Sequence, residues 1–251
     1  MTSMNKPSNE SSLSGESCIS EVTKPSETPP QRLHQGMSAV YLLLSAVLLI
    51  TLCSKSSPLY PFNDWVDANC FFTVGKSMLH GLLPYRDLWE QKGPFLYMLH
   101  AVAAMISYRT FFGVYLLEMA AAFGFLWYSY RSCRLLTKKS GVLLLLPLMG
   151  ALVFTSHSFA HGDSVEQLAL APLAYALYLG LSVVERKQTL RFGQAVAIGI
   201  TSAMVFWSKF TLVGLYIGWF IGVACITVKA SGVRALCSLI GGIVTGLLIV
   251  T

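Results

Sequence analysis

The residues able to do chemistry fall in a few short stretches. Between 64 and 92 stand Asp64, Asp67, Lys76, Arg86, Asp87, Glu90 and Lys92. The segment HGDSVEQ carries His161, Asp163 and Glu166, and FWSKFTLVG carries Lys209. Glu118 is set in the apolar run GVYLLEMAAAF. Carboxylates beside Lys and Arg suit acid–base chemistry on an anionic group: the carboxylate takes a proton, and the cations hold phosphate oxygens by charge-assisted hydrogen bonds. Each residue also has a plainer role open to it. Asp64 and Asp67 follow the Pro-rich SSPLYPFN and can cap a helix. Arg86–Asp87 and Glu90–Lys92 can be solvated pairs worth under ~1 kcal/mol. Lys92 precedes Gly93–Pro94 and can snorkel at headgroup level. His161 reads as a polar turn residue. Lys209 has little loop around it to solvate it, and Glu118 needs a partner or a proton. No GxxxxGK[ST] or GxGxxG loop for nucleotide phosphates occurs.

The chain that must position these groups has 251 residues, 54% apolar and only 12% charged. Soluble domains carry about 25% charged residues, and half that fraction cannot cover a globular surface of this size, so the composition argues against a soluble enzyme. Apolar runs of roughly 17 residues or more reach bilayer-spanning length. Seven such runs predict spans at 37–53, 110–130, 141–157, 168–184, 192–208, 211–228 and 235–251. An eighth run, 94–107, covers about 21 Å as a helix, short of a hydrocarbon core of about 30 Å. Residues 1–36 contain eight Ser and four Pro and read as a disordered cytoplasmic tail. A cleaved signal peptide would place its apolar core nearer the terminus. The expected organisation is therefore a tail, 1–36, and one membrane module, 37–251. The last apolar run stops at Thr251, as in a chain truncated at its C-terminus. Six cysteines without CxxC spacing read as apolar filler.

The net charge of +6 has a direction. If 94–107 does not span and the N-terminus is cytoplasmic, twelve of the 18 Lys and Arg lie inside. If it spans, only five do. The positive-inside rule selects the first arrangement. Residues 55–109 then form one exterior loop holding two non-spanning amphipathic helices, 67–82 and 94–107. The first has the stripe Phe71, Val74, Gly75, Met78 and Leu82. The positive excess is an orientation signal, and no nucleic-acid partner is expected. The predicted fold is all-α, a polytopic transmembrane bundle of about seven spans plus two non-spanning helices. It sits in the plasma membrane with its chemistry on the outer face.

The stretch DANCFFTVGKSMLHGLLPYRDLWEQKGPFLYMLHA (67–101) resembles the first exterior loop of the GT-C glycosyltransferases, in their bacterial protein-mannosyltransferase and aminoarabinose-transferase-like branch. The shared pattern is an Asp soon after the first span, a Gly–x–x–PYxD stretch, and a Lys–(Gly/Pro)–Pro start to a short amphipathic helix. HGDSVEQLALAPLAYALYL and FWSKFTLVG are similar as well, so the resemblance covers about 55–215. It implies roughly a dozen spans, the first seven forming a shared module, with two non-spanning helices in the first loop. It implies a polyprenyl-phosphate-linked sugar donor, inverting transfer on the outer face, and an envelope glycan, lipid or protein as acceptor. Residue by residue, Asp67 matches the carboxylate that acts as general base or orients the acceptor. Lys92 matches the basic residue at the donor phosphate, and Lys209 and Arg86 are looser candidates for the same anion. Asp87, Glu166 and Glu118 are supporting carboxylates. Many relatives have a second acid after the first, whereas Ala68 follows Asp67 here. A divalent-metal site is therefore not supported, and no cofactor is expected. Two rivals stand beside this reading: a transporter or flippase for a lipid-linked sugar, with Glu118 as its best support, and an inactive or truncated membrane subunit.

Overall fold

The protein is described by a computed structural model covering residues 29–251 apart from Ser140 and Ala160. Most of the expected tail, residues 1–28 with Cys18, lies outside the described residues. The chain forms α1 (Pro29–Cys53), α2 (Val66–Met78), α3 (Pro94–Ile106), α4 (Phe112–Leu136), α5 (Val142–Phe154), α6 (Val165–Arg186), α7 (Phe192–Phe206), a 3₁₀ turn (Phe210–Val213) and α8 (Gly214–Val250). No strand occurs among the described residues beyond an isolated bridge between Pro84 and Leu88.

Apolar spacing explains how the helices face. In α1, Leu42, Ala46 and Ile50 are wholly buried, against Tyr115, Ala122, Leu126, Leu146 and Phe154 of α4 and α5. Val40, Leu44, Leu48 and Leu52, on the opposite side at every fourth residue, are exposed. Leu144, Leu145, Leu148 and Leu152 of α5 are exposed in the same way. A soluble monomer does not show apolar stripes of this extent to water. Among the described residues, four helical segments are long and apolar enough to cross a membrane: His34–Cys53, Phe112–Leu136, Val165–Arg186 and Phe210–Val250. The chain is a membrane protein of helical architecture.

Two expected spans are shorter than their apolar runs. α5 ends at Phe154, and the Thr155 hydroxyl bonds back to the Ala151 carbonyl as the chain turns. α7 ends at Phe206, because the carbonyls of Trp207 and Ser208 accept hydrogen bonds from α3. The runs expected at 211–228 and 235–251 are merged in α8, but Gly232 interrupts it at φ 75°, ψ −174°. On one side of the break Tyr216 shares a core with Ile198 and Val205. On the other, Gly242 lies against Phe192, Ala195 and Val196, and Gly246 against Val196, Gly199 and Ile200. The chain therefore reverses near Gly232, and the second arm runs parallel to α7.

The helices α2 and α3 do not run along the bundle. α3 meets Trp207 at the end of α7 through Phe95 and packs Leu96 and Tyr97 with Val165 at the start of α6. Its Ala103 carbonyl touches Gly113 at the start of α4. It thus lies across the ends of three helices. α2 packs on it through Phe71, Val74 and Gly75. α2 stops at Met78, so Leu82, expected in its stripe, falls in the following loop and is exposed.

Candidate functional site

The segment Lys92–Gly93–Pro94 is fixed from both sides. Pro94 starts α3, where a missing N–H costs nothing. The Gly93 N–H donates to the Ser208 carbonyl (3.1 Å) and the Phe95 N–H to the Trp207 carbonyl (3.1 Å). On its other flank, the Lys92 N–H donates to Glu90 Oε2 (2.8 Å) and to the Tyr97 hydroxyl (3.1 Å). Tyr97 in turn donates to Glu90, and the Tyr85 hydroxyl donates to the Lys92 carbonyl. Tyr97 is fully buried, and burial and the Glu90 carboxylate push its phenol pKa up. Burial works against the charge on Glu90, but the Tyr97 hydroxyl and the N–H groups of Lys92 and Gln91 outweigh it, and its pKa is lowered.

This docking brings Lys92 and Lys209 to one groove. The groove has a volume of about 760 Å³, and Tyr85, Lys92, Trp207, Ser208, Lys209 and Phe210 are among its walls. A second, apolar cavity of about 430 Å³ shares Ser208 with it. Phe95, Leu99, Leu168, Pro172 and Tyr175 line that cavity, between α3, α6 and α7. Lys92 Nζ lies 5.9 Å from the Phe71 ring centroid. Lys209 Nζ donates to Glu166, in the first turn of α6.

The remaining expected residues fall at different distances from this groove. Asp67 is half-buried in the first turn of α2 and is not among the walls of the lysine groove. It does not cap that helix: Asn63 Oδ1 accepts from the Trp65 N–H instead (3.0 Å). Asp67 and Lys92 both act on Cys70, whose thiol is pushed up by burial, then by Glu90 and Asp67, and pulled down by Lys92. Asp64 also makes no cap; it pairs with Lys55 at 2.6 Å, which lowers its pKa. Arg86 is mostly exposed and grips its neighbour Asp87 through two bonds (2.7 and 2.9 Å). Asp87 also accepts from the Leu83 N–H (2.8 Å), and the Arg86 guanidinium with this N–H holds its carboxyl below the usual range. This pair folds a turn and does not line the lysine groove.

Glu118, expected within the span 110–130, stands near one end of its helix. α4 begins at Phe112, so Glu118 lies less than two turns from its start. It is fully buried, with Ser54 Oγ donating to one oxygen (2.5 Å) and the Asp163 N–H to the other. Asp163 in turn faces His100 Nε2 with both carboxylate oxygens at 3.0 Å. His100 Nδ1 faces the Leu96 carbonyl at 2.8 Å, so acceptors stand at both ring nitrogens. Burial opposes the imidazolium, but the Asp163 charge and these bonds outweigh it and raise the His100 pKa. Burial raises that of Asp163 as well, against the pull of His100. The HGDS turn makes this network possible. Gly162 has φ 74°, and a Cβ there would sit 2.0 Å from Ser54 Oγ. Ser164 then caps α6, accepting from the Gln167 N–H (3.0 Å). His161 stacks on Trp65 at 6.1 Å.

No family model matches this chain, and no curated protein or solved structure matches it. The sequence reading missed Tyr85, Tyr97, Trp207 and Ser208 around Lys92, and His100 behind Asp163. Tyr85 and Tyr97 lie within seven residues of Lys92 with no pattern to mark them, and Trp207 and Ser208 come from the end of α7.

Proposed function

We propose that this chain is an integral-membrane glycosyltransferase of the GT-C type, moving a sugar from a polyprenyl-phosphate carrier to an envelope acceptor on the outer face of the plasma membrane. One observation carries the reading: two lysines on separate elements flank a groove that adjoins an apolar cavity. A phosphate head with a long apolar tail is the ligand such a pair suits. In this reading α5, α7 and both arms of α8 also cross the bilayer, making seven crossings. α2 and α3 lie at the outer interface, and the N-terminus is cytoplasmic.

The chemistry follows from the residues. The bond between the sugar C1 and the phosphate oxygen breaks, and the electron pair leaves with the phosphate. Lys92 stabilises that charge, and Lys209, oriented by Glu166, supplies a second cation. The acceptor oxygen bonds to C1 and gives its proton to Asp67, the general base. Arg86 and Asp87 shape the loop, and Glu118 supports the turn that starts α6. A transporter reading draws on Glu118, but both of its carboxylate oxygens are engaged by Ser54 and Asp163.

The test is transfer from radiolabelled polyprenyl-phosphate sugar by the purified chain in proteoliposomes, with an envelope extract as acceptor. Lys92→Gln should slow transfer by roughly 10²-fold or more, the usual scale for removing one group that stabilises developing negative charge. Asp67→Asn should abolish transfer while membrane insertion stays normal. Transfer at the wild-type rate by either variant, or sugar movement into vesicles without product, would overturn the proposal.

A further inference from the structure

At the opposite end of the bundle the start of α1 meets the last turns of α4 and α6. Arg131 lies about 28 Å along α4 from Phe112, far from the lysine groove. A cavity of about 440 Å³ opens there, with Arg131, Arg134 and Arg186 in its walls beside His34, Trp127 and Tyr178. Among the described residues, no Asp or Glu lines it. The three arginines enter none of the ion pairs found among the described residues. Arg131 is held in place: its Nη2 donates to the Tyr178 hydroxyl (2.8 Å) and its Cζ lies 4.6 Å from the Tyr178 ring centroid. Tyr178 is itself buried, so the guanidinium rests on a fixed platform.

Three exposed guanidinium groups line one cavity, and an anion bound there would meet all of them. Their forked N–H donors match phosphate oxygens, and the stacked Arg131 loses little freedom on binding. The cavity opens between helices whose apolar flanks are exposed, Leu136 among them. A basic pocket between membrane helices is the chemistry that takes a lipid phosphate. We propose that this cavity binds the phosphate of an anionic phospholipid headgroup in the leaflet at this end of the bundle. It is a site separate from the lysine groove.

The experiment uses the full chain, delipidated in detergent and titrated with phosphatidylglycerol or phosphatidylcholine, with bound lipid counted by native mass spectrometry. Wild type should retain phosphatidylglycerol and not phosphatidylcholine. Arg131→Gln, Arg134→Gln and Arg186→Gln together should weaken retention on the order of a hundredfold. Arg131→Lys, which keeps the charge and loses the fork, should give a smaller loss. Lys138→Gln with Lys139→Gln, on the same side but outside the cavity, should leave retention unchanged. Unchanged retention by the triple variant, equal retention of phosphatidylcholine, or an equal loss in the Lys138/Lys139 variant would overturn the proposal. Displacement of the lipid by millimolar inorganic phosphate would overturn the lipid assignment in favour of a soluble phosphate ligand.

Discussion

Replacing Gly93 by alanine tests whether the junction of α3 and α7 sets the lysine groove. Gly93 has φ −77° and ψ 156°, a conformation open to any residue, so backbone freedom is not what requires glycine. Space is. A Cβ there would sit 1.8 Å from the Trp207 carbonyl oxygen and 2.3 Å from its carbon. The two segments must part by more than about 1 Å, which carries hydrogen bonds beyond their working range. The bonds from Gly93 to Ser208 and from Phe95 to Trp207 are then lost. At about 1 kcal/mol each, plus about 1–3 kcal/mol for overpacking, the junction weakens by about 3–5 kcal/mol. That is a hundredfold or more in local opening, at 1.36 kcal/mol per decade. Amide hydrogen exchange read by mass spectrometry in detergent measures it. The amides of Gly93 and Phe95 should exchange about a hundredfold faster in the variant, while those of α4 stay as in wild type. Gly218→Ala, with nothing within 4 Å of the added carbon, serves as the control. Wild-type exchange at 93 and 95 in the Gly93 variant, or equal acceleration in the Gly218 variant, would refute the reasoning.

Two further outcomes can be measured on the same purified chain. His100 has a raised pKa in the fold, so its stabilising contribution is full below its unfolded value of about 6.5 and fades as pH rises through the folded value. The raised pKa of Asp163 acts in the same direction at lower pH. The melting temperature in detergent should therefore fall as pH rises above about 6.5, and His100→Gln should flatten that slope; an equally steep slope in the variant removes His100 from the account. Tyr97→Phe keeps the buried ring but deletes the hydroxyl that joins Glu90 to the Lys92 N–H. It should destabilise the protein by about 1–3 kcal/mol and speed exchange at the Lys92 amide; an unchanged Lys92 amide would show that Glu90 alone holds it.

What the sequence conveyed and what it withheld divide along physical lines. The apolar runs announced the helices, because hydropathy is a property of each segment. Helix ends were harder, since they depend on where backbone groups find partners. α7 stops early because Trp207 and Ser208 give their carbonyls to α3, and no local pattern encodes that. The break at Gly232 was visible in the polar interval between two apolar runs. In the candidate site, Lys92 stood out beside Gly93–Pro94, and Glu118 stood out as a charge that needed a partner. The partner itself, Ser54, is 64 residues away, and His100 finds Asp163 across 63. Spacing along the chain carries no record of such pairs.

Those hidden pairs bear directly on the groove. The Asp163 N–H is tied to Glu118 and its carboxylate to His100, so the turn is held from α4 and from α3 at once. Ser164 follows as the cap of α6, and Glu166 stands two residues later, bonded to Lys209. The position of one groove lysine thus descends from a buried network with no contact to the groove. The other, Lys92, is set at the start of α3, the helix that carries His100, through Gly93 and Phe95. A single short helix lying across the bundle therefore sets the separation of the two cations. Loosening either of its attachments should disturb both lysines together, which a pair of independently snorkelling side chains would not do.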